Sequence, residues 1–282
     1  MAKIPNAEEP LGIKIVKEID KNIHMRIHRP HMGYSEAGDN CKRKTWYAFH
    51  WAYAEEIDAR IMRIFETGNI AEEFMTASLD KAHIKVFDQQ KEIISHYGHV
   101  RGHIDGTVYS LNLLGNDKML LEMKTANDKN FREITKKGVK GAKKDHYHQM
   151  QAYMGKLNIL NALYMCYNKN DSTYYIEIVP FNRTIFENIE RTFFDILTSP
   201  GPVDKLVDAV VTWHECKWCP AFDICLKGKQ VERNCRTCQF VTIENDGIWR
   251  CTKYDKKLSV QEQRDGCDFY ILEQLLENED GL

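Results

Sequence analysis

Seven of the nine cysteines fall between positions 216 and 267 of this 282-residue chain, and no other feature of the sequence restricts the fold as much. The first residues, MAKIPNAEEPLGIKIVKEIDKN, hold no uninterrupted apolar stretch of the secretory kind. The expected compartment is therefore reducing and cytoplasmic, where disulfides are rare and clustered thiols more often hold metal. Spacing divides the thiols. Cys216-x2-Cys219-x5-Cys225 needs a fourth ligand from elsewhere. Cys235-x2-Cys238, Cys251 and Cys267 make a set of four. Between them QFVTIENDGIWRC has hairpin character with Asp246-Gly247 at its turn, which fits a small zinc-binding module. The plainer alternative is that some of these are buried free thiols. Cys166, in the apolar run ALYMCYN, is most simply a core residue.

Composition narrows the class. With 43% hydrophobic and 28% charged residues the chain reads as an ordinary globular protein, and its length is ample for a real core. No apolar run approaches the ~18 residues of a membrane span, so no membrane partner is expected. A formal net charge of −2 excludes a globally basic nucleic-acid coat but permits a local basic patch.

Residues 11–28 have helical apolar spacing at Ile15, Ile19 and Ile23. Proline-free sequence from Cys41 to about Ala82 predicts two or three helices interrupted at Gly68. Short β-rich segments follow: KEIISHYG, HVRGHIDGTVYSLNLL and KMLLEMKTA. A basic stretch, a helix over DHYHQMQAYMGKLNI, two more strands and an amphipathic helix RTIFENIERTFFDIL complete the order, before Pro200-Gly201-Pro202 marks a boundary. Such a list packs as a mixed sheet flanked by helices, an α/β (or α+β) fold with a metal-stapled C-terminus.

The chemistry sits in two of the strands. Glu122 and Lys124, at i and i+2, point to one face of an apolar strand. Burying both is costly unless they serve each other or a bound ion. Each signal is weak alone: Asp105-Gly106 is also a hairpin-turn signal, and Glu215-Lys217 and Asp255-Lys257 repeat the acid-x-Lys spacing. Only Glu122-Met123-Lys124 follows a strand-like run one hairpin length after an aspartate.

Gly102-x2-Asp105, then Glu122-x-Lys124, then Gln149-x3-Tyr153 resembles the PD-(D/E)XK nuclease superfamily, and the Gln/Tyr pair resembles its RecB-like exonuclease branch. Gly68-Asn69-Ile70-Ala71-Glu72 is similar to that branch's glycine followed four residues later by a metal-binding His or Glu; here Glu72 holds the position, with Glu73 adjacent. Ile104 stands where the superfamily name has proline. The resemblance covers residues 35–226. It implies a restriction-endonuclease-like core with Glu72, Asp105, Glu122 and the Met123 carbonyl as Mg²⁺ or Mn²⁺ ligands. Three carboxylates are a hard oxygen site suited to those ions, and Lys124 would orient water and stabilise developing phosphate charge. Gln149 and Tyr153, one turn apart on a helix, share a face that by resemblance meets the active site and the nucleic-acid backbone.

By the same resemblance the missing fourth cysteine is Cys41. Iron–sulfur members of the branch carry one cysteine upstream of the core and three after it, which implies a [4Fe–4S] cluster on Cys41, Cys216, Cys219 and Cys225. Ligand chemistry alone would accept zinc equally. Between Lys124 and Lys144 stand Lys129, Arg132, Lys136, Lys137, Lys140 and Lys143 against only Asp128 and Glu133. With Lys144 they suggest a basic loop gripping a DNA backbone without reading sequence; Phe131 would stack a base or anchor the loop. His103, two residues before Asp105, is a candidate to face the centre, whereas His96, His99, His146 and His148 read as polar surface.

The expectation is a metal-dependent DNA exonuclease of phage or mobile-element recombination, repair or degradation, in the host cytoplasm if phage-encoded. Its parts are an N-terminal helical extension (1–40), a nuclease core with an iron–sulfur staple (41–226) and a zinc-binding-like C-terminal module (227–282). Its partner is DNA, with a homo-oligomer or a recombination or adaptation protein left open. A CRISPR-adaptation nuclease trimming DNA ends and a catalytically inert DNA-binding scaffold are the competing readings.

Overall fold

A computed structural model describes residues 9–21, 23, 25–110, 113–114, 117–205, 216–273 and 276. It opens with α1 (Leu11–Lys21), β1 (Met25–Ile27), β2 (Met32–Gly33), α2 (Lys42–Phe49), β3 (Glu55–Ile57) and α3 (Ala59–Lys81). Strands β4 (Lys85–Phe87), β5 (Glu92–Ser95), β6 (Val100–His103), β7 (Gly106–Tyr109) and β8 (Met119–Ala126) follow. Helices α4 (Asp128–Ala142) and α5 (Lys144–Leu157) precede β9 (Asn161–Asn168), β10 (Tyr174–Pro180) and α6 (Arg183–Thr198). The C-terminal part adds β11 (Val241–Ile243), β12 (Trp249–Cys251) and β13 (Lys256–Leu258).

The centre is a mixed five-stranded sheet in the order β10-β9-β8-β7-β4, in which only β8 and β9 run parallel. Parallel neighbours need a long crossover, and α4 with α5 supplies it. The apolar run of β8 is buried on both faces. Met119, Leu121 and Met123 pack under α3 with Ala71, Met75 and Leu79. Leu120 and Ala126 face a larger core built with α4, α5 and α6. The expected mixed α/β sheet with flanking helices is therefore present. Among the described residues no helix is long and apolar enough to cross a membrane.

Two expectations change here. Gly68 does not break a helix: α3 runs unbroken for 23 residues, with the Asp58 carboxylate accepting from Ile61 N at 2.8 Å to cap its start. Tertiary packing of Ala71, Met75 and Leu79 outweighs one glycine. The basic stretch is a helix, not a loop. Asn127 caps α4, whose Phe131, Ile134 and Val139 are buried, and the helix kinks at Gly138 (φ 70°). Phe131 thus anchors the segment.

The chain also changes sheets between β6 and β7. Strand β6 lies between β2 and β5 in a second sheet, whereas β7 belongs to the central one. The crossing point is Ile104-Asp105, so Asp105-Gly106 is a strand switch rather than a hairpin turn.

At the C-terminus β11, β12 and β13 form an antiparallel meander turning at Asn245–Gly247, in agreement with the expected hairpin. Trp249 buries its ring against Phe49 at 4.9 Å, and Arg236 lies between Trp51 (3.8 Å) and Trp249 (4.3 Å).

Candidate active site

The ladder between β7 and β8 pairs Gly106 with Leu121, which sets Asp105 beside Glu122 just past its end. Asp105 Oδ2 accepts the Met123 N–H at 2.5 Å, fixing the carboxylate against β8. Glu122 is 0% exposed. The Lys124 ammonium touches Glu122 Oε1 as an ion pair, and it is the one charged partner in contact with that buried carboxylate among the described residues. Burial, then the neighbouring Asp105 and Glu72 charges, push the Glu122 carboxyl up despite Lys124. Burial alone would lower the Lys124 ammonium, but Glu122, Asp105 and Glu72 outweigh it and hold it protonated.

Glu72 reaches this group from α3. Its carboxyl is raised by burial and then by Asp105, whereas Glu73 is exposed on another side of the helix. Of the two adjacent acids, Glu72 is the one in the cluster. Glu72, Met123 and Lys124 line a cleft of about 340 Å³ whose wall continues through Asn69, Gly68, Phe65 and Ile64. As the side chains stand, no three His, Cys, Asp or Glu among the described residues are drawn together closely enough to hold a metal ion.

Tyr153 and Gln149 arrive on α5. Tyr153 is buried, its hydroxyl donates to the His103 carbonyl at 3.0 Å, and Gln149 stands within hydrogen-bonding range of it. A Cβ on Gly102 would meet the Tyr153 hydroxyl at 2.3 Å, so the glycine of Gly102-x2-Asp105 is where β6 makes room for that ring. Tyr153 ties α5 to the end of β6, two residues before Asp105. The His103 side chain is exposed and contributes only its carbonyl.

The sequence reading missed His146 and Tyr164. His146 lies one turn before Gln149 on the same face of α5. Its Nδ1 is 3.0 Å from the Tyr164 hydroxyl, and Tyr164 pairs in register with Glu122 across β8 and β9. Burial and the Lys124 charge lower the His146 pKa to about 4, so the ring is neutral. The i−3 spacing from Gln149 was the available signal.

Lys129, Arg132, Lys136, Lys137, Lys140 and Lys144 are exposed and Lys143 half-buried. Four of them already have partners: Arg132 pairs with Asp128, Lys137 with Glu133, Lys140 lies over the Tyr147 ring, and Lys144 donates to Asn40 Oδ1 at 2.6 Å.

The thiols gather in two places. Cys41, Cys216 and Cys219 line one cavity, and the Cys41 thiol, raised chiefly by burial, also feels Cys225. Cys235, Cys238, Cys251 and Cys267 line another, where burial and then the other three thiols push Cys235 up to about 11. All nine cysteines are free, and Cys166 is buried in β9.

No family model and no curated protein matches the chain. Among solved structures it is similar to an alkaline exonuclease (LHK-Exo) from Laribacter hongkongensis, at 16% identity over 60% of this chain and 87% of that one, with a TM-score of 0.44. The same exonuclease in complex with dAMP gives 16% identity over 60% and 86%, with a TM-score of 0.43. A protein designated SSO0001 gives 15% identity over 78% and 95%, with a TM-score of 0.40.

Proposed function

We propose that this chain is a divalent-metal-dependent DNA nuclease of the PD-(D/E)XK superfamily, acting as a RecB-like exonuclease in phage or mobile-element recombination, repair or degradation. The observation that carries the reading is Glu122: a carboxylate closed to solvent, in contact with a protonated lysine and beside Asp105 and Glu72. Such a group is expensive to maintain unless a cation and a reaction use it.

The donor set fits a hard divalent cation, with Glu72, Asp105, Glu122 and the Met123 carbonyl as holders. A bound Mg²⁺ or Mn²⁺ supplies Lewis acidity toward a phosphodiester and acidifies water. Glu122 would hold the ion with Lys124 standing beside it. The Lys124 ammonium would orient the attacking water and stabilise the negative charge that grows on the phosphate oxygens. Tyr153 keeps Asp105 and β6 in register with α5, and the exposed lysines of α4 hold the DNA backbone.

The two thiol groups extend the proposal. Cys41, Cys216 and Cys219, on one cavity with Cys225 near enough to act on the Cys41 thiol, would be the ligands of a [4Fe–4S] staple for a core over 41–226. Cys235, Cys238, Cys251 and Cys267 suit Zn²⁺ in a module over 227–282. The first group also favours a second reading, a CRISPR-adaptation nuclease that trims DNA ends. An inert scaffold is disfavoured by the intact Asp105, Glu122 and Lys124.

The test is a time course on end-labelled linear and closed circular DNA with Mg²⁺ or Mn²⁺. Progressive loss of linear DNA with circles spared supports an exonuclease. Cutting of circles moves the reading to an endonuclease, and no cutting by wild type leaves the scaffold. Anaerobic protein with a broad visible absorption band supports the cluster; a colourless protein releasing zinc does not.

A further inference from the structure

The catalytic cleft has an apolar wall that the chemistry of the four charged residues does not use. On α3, Ile64, Phe65, Gly68, Asn69 and Glu72 fall within one side of the helix at 100° per residue, and all five line the cleft with Lys124. Toward the C-terminal end this side turns into the core at Met75, which is fully buried. Toward the N-terminal end it does not: between Ala59 and Ala71 no residue of α3 is buried. Phe65 is 51% exposed and Ile64 41%, so an aromatic and an aliphatic side chain are bared at the mouth of the cleft.

Two further observations say what belongs there. The first is Gly68, between Phe65 and Glu72. It has no left-handed backbone, and a Cβ built on it meets nothing within 4 Å. Packing does not require glycine, and a helix interior disfavours it. Its effect is to leave the wall one side chain thinner just where the cleft passes from charged to apolar. The second is charge. Glu66 and Glu73 lie about a third of a turn from the centre of the cleft side and do not line it, so Glu72 is the one acid of α3 that this wall presents. A polyanion can approach it.

Seven residues of helix separate Glu72 from Phe65, about 10 Å. That is within reach of one or two nucleotides from a phosphate held at Glu72 and Lys124. We infer that Phe65, flanked by Ile64, stacks on an unpaired nucleobase of the strand being cut, and that Gly68 lets the sugar–phosphate chain pass between that base and the reacting phosphate. Aromatic stacking of this kind accepts any base, because every base has a π face. The cleft therefore takes an unpaired strand end without sequence preference. This inference rests on the nuclease reading and adds its substrate: an unpaired strand with a base at one fixed distance from the cut.

The experiment uses linear DNA with short unpaired overhangs of both polarities. A single abasic position is walked through the first four nucleotides from the cut, and wild type, Phe65→Ala, Phe65→Trp and Gly68→Ala are compared in Mn²⁺. Wild type should lose on the order of tenfold or more in kcat/KM when the abasic position reaches Phe65, and at no other position. Phe65→Ala should show that loss on intact DNA, chiefly in KM, and no further loss on the abasic substrate. Phe65→Trp should restore the wild-type pattern. Gly68→Ala should raise the melting temperature while lowering kcat/KM. Phe65→Ala with wild-type KM, or with undiminished sensitivity to the abasic position, overturns the inference and leaves the nuclease intact. Wild type that cuts none of these substrates overturns the nuclease reading itself.

Discussion

Glu122 and Lys124 stand two residues apart on β8, in ion-pair contact, with the carboxylate closed to solvent and the lysine side chain still 24% exposed. The two substitutions that break the pair should therefore differ in kind. Lys124→Met leaves a buried carboxylate without its cation, a loss of about 3 kcal/mol or more for a buried pair. Glu122→Gln removes the buried charge and leaves a lysine that can reach water, so the metal-free protein should unfold at least as late as wild type in urea. Both variants should fail to cut DNA. Mn²⁺ should raise the melting temperature of Lys124→Met and not that of Glu122→Gln. Equal destabilisation of the two variants would show that the pair is held by packing rather than by charge.

Neutralising Lys136, Lys137 and Lys140 to glutamine should leave α4 folded, because Phe131, Ile134 and Val139 hold it from the other side. It should lower the slope of log K against log salt by about 0.9 for each phosphate left unneutralised on duplex DNA, or about 0.7 on a single strand. The contributions should be unequal. Lys137 already pairs with Glu133 and Lys140 with the Tyr147 ring, so Lys136→Gln alone should account for the largest share. A salt titration of binding with the single and triple variants measures this.

His146 and Tyr164 lie beside Lys124 and Glu122, and Tyr164 is invisible to motif reading, since a tyrosine on β9 enters the site only through the register of β8 against β9. Tyr164→Phe keeps the ring and removes the hydroxyl that meets His146. We expect it to lower kcat by roughly tenfold with little change in KM, the pattern of a group that positions Lys124 rather than binds substrate. A rise in KM with kcat unchanged would place the pair on the DNA instead.

What is legible in the sequence follows the same division. Glu122 and Lys124 can be read because alternation along one strand puts both side chains on one face. Gln149 and Tyr153 can be read because one helical turn does the same. Asp105 is recognisable, but its two local readings point opposite ways; the switch between sheets at Ile104-Asp105 is a tertiary event that a turn dipeptide does not reveal. Gly68 looks like a break only when local propensity is weighed without the packing of Ala71, Met75 and Leu79. The basic segment looks like a loop because its charge hides the buried Phe131, Ile134 and Val139.

His50 offers a pH dependence away from the site. It is buried, stacked on Trp46 at 3.8 Å, with Nδ1 3.0 Å from the Trp46 carbonyl, and burial lowers its pKa from 6.5 to about 3. The unfolded chain takes up a proton below 6.5 while the folded one stays neutral. The stability this gives is complete above 6.5 and is lost as pH falls through 6.5 toward 3, up to roughly 4 kcal/mol. His50→Phe keeps the stacked ring, so it should be modestly less stable near neutral pH and show a flatter acid limb. Urea midpoints between about pH 4 and 7 for the two proteins check the sign.

Arg236 ties the C-terminal meander to the core, and it does so without a carboxylate. Its Nε donates to Gln263 Oε1 at 2.8 Å, its two terminal nitrogens to the Phe49 and Pro30 carbonyls at 2.8 and 2.9 Å, and its plane lies between Trp51 and Trp249. Burial lowers its pKa well below the usual guanidinium value, with Arg264 adding to the effect. Only a planar group with donors on three sides can satisfy both carbonyls and both rings at once. Arg236→Lys keeps the charge but reaches one carbonyl at most, so it should cost nearly as much as Arg236→Met, about 3 kcal/mol each from unpaired buried carbonyls and weakened stacking. If charge alone mattered, lysine would rescue. The readout is urea unfolding followed by tryptophan fluorescence, to which Trp51 and Trp249 contribute, and an Arg236→Lys midpoint close to wild type would refute the geometric account.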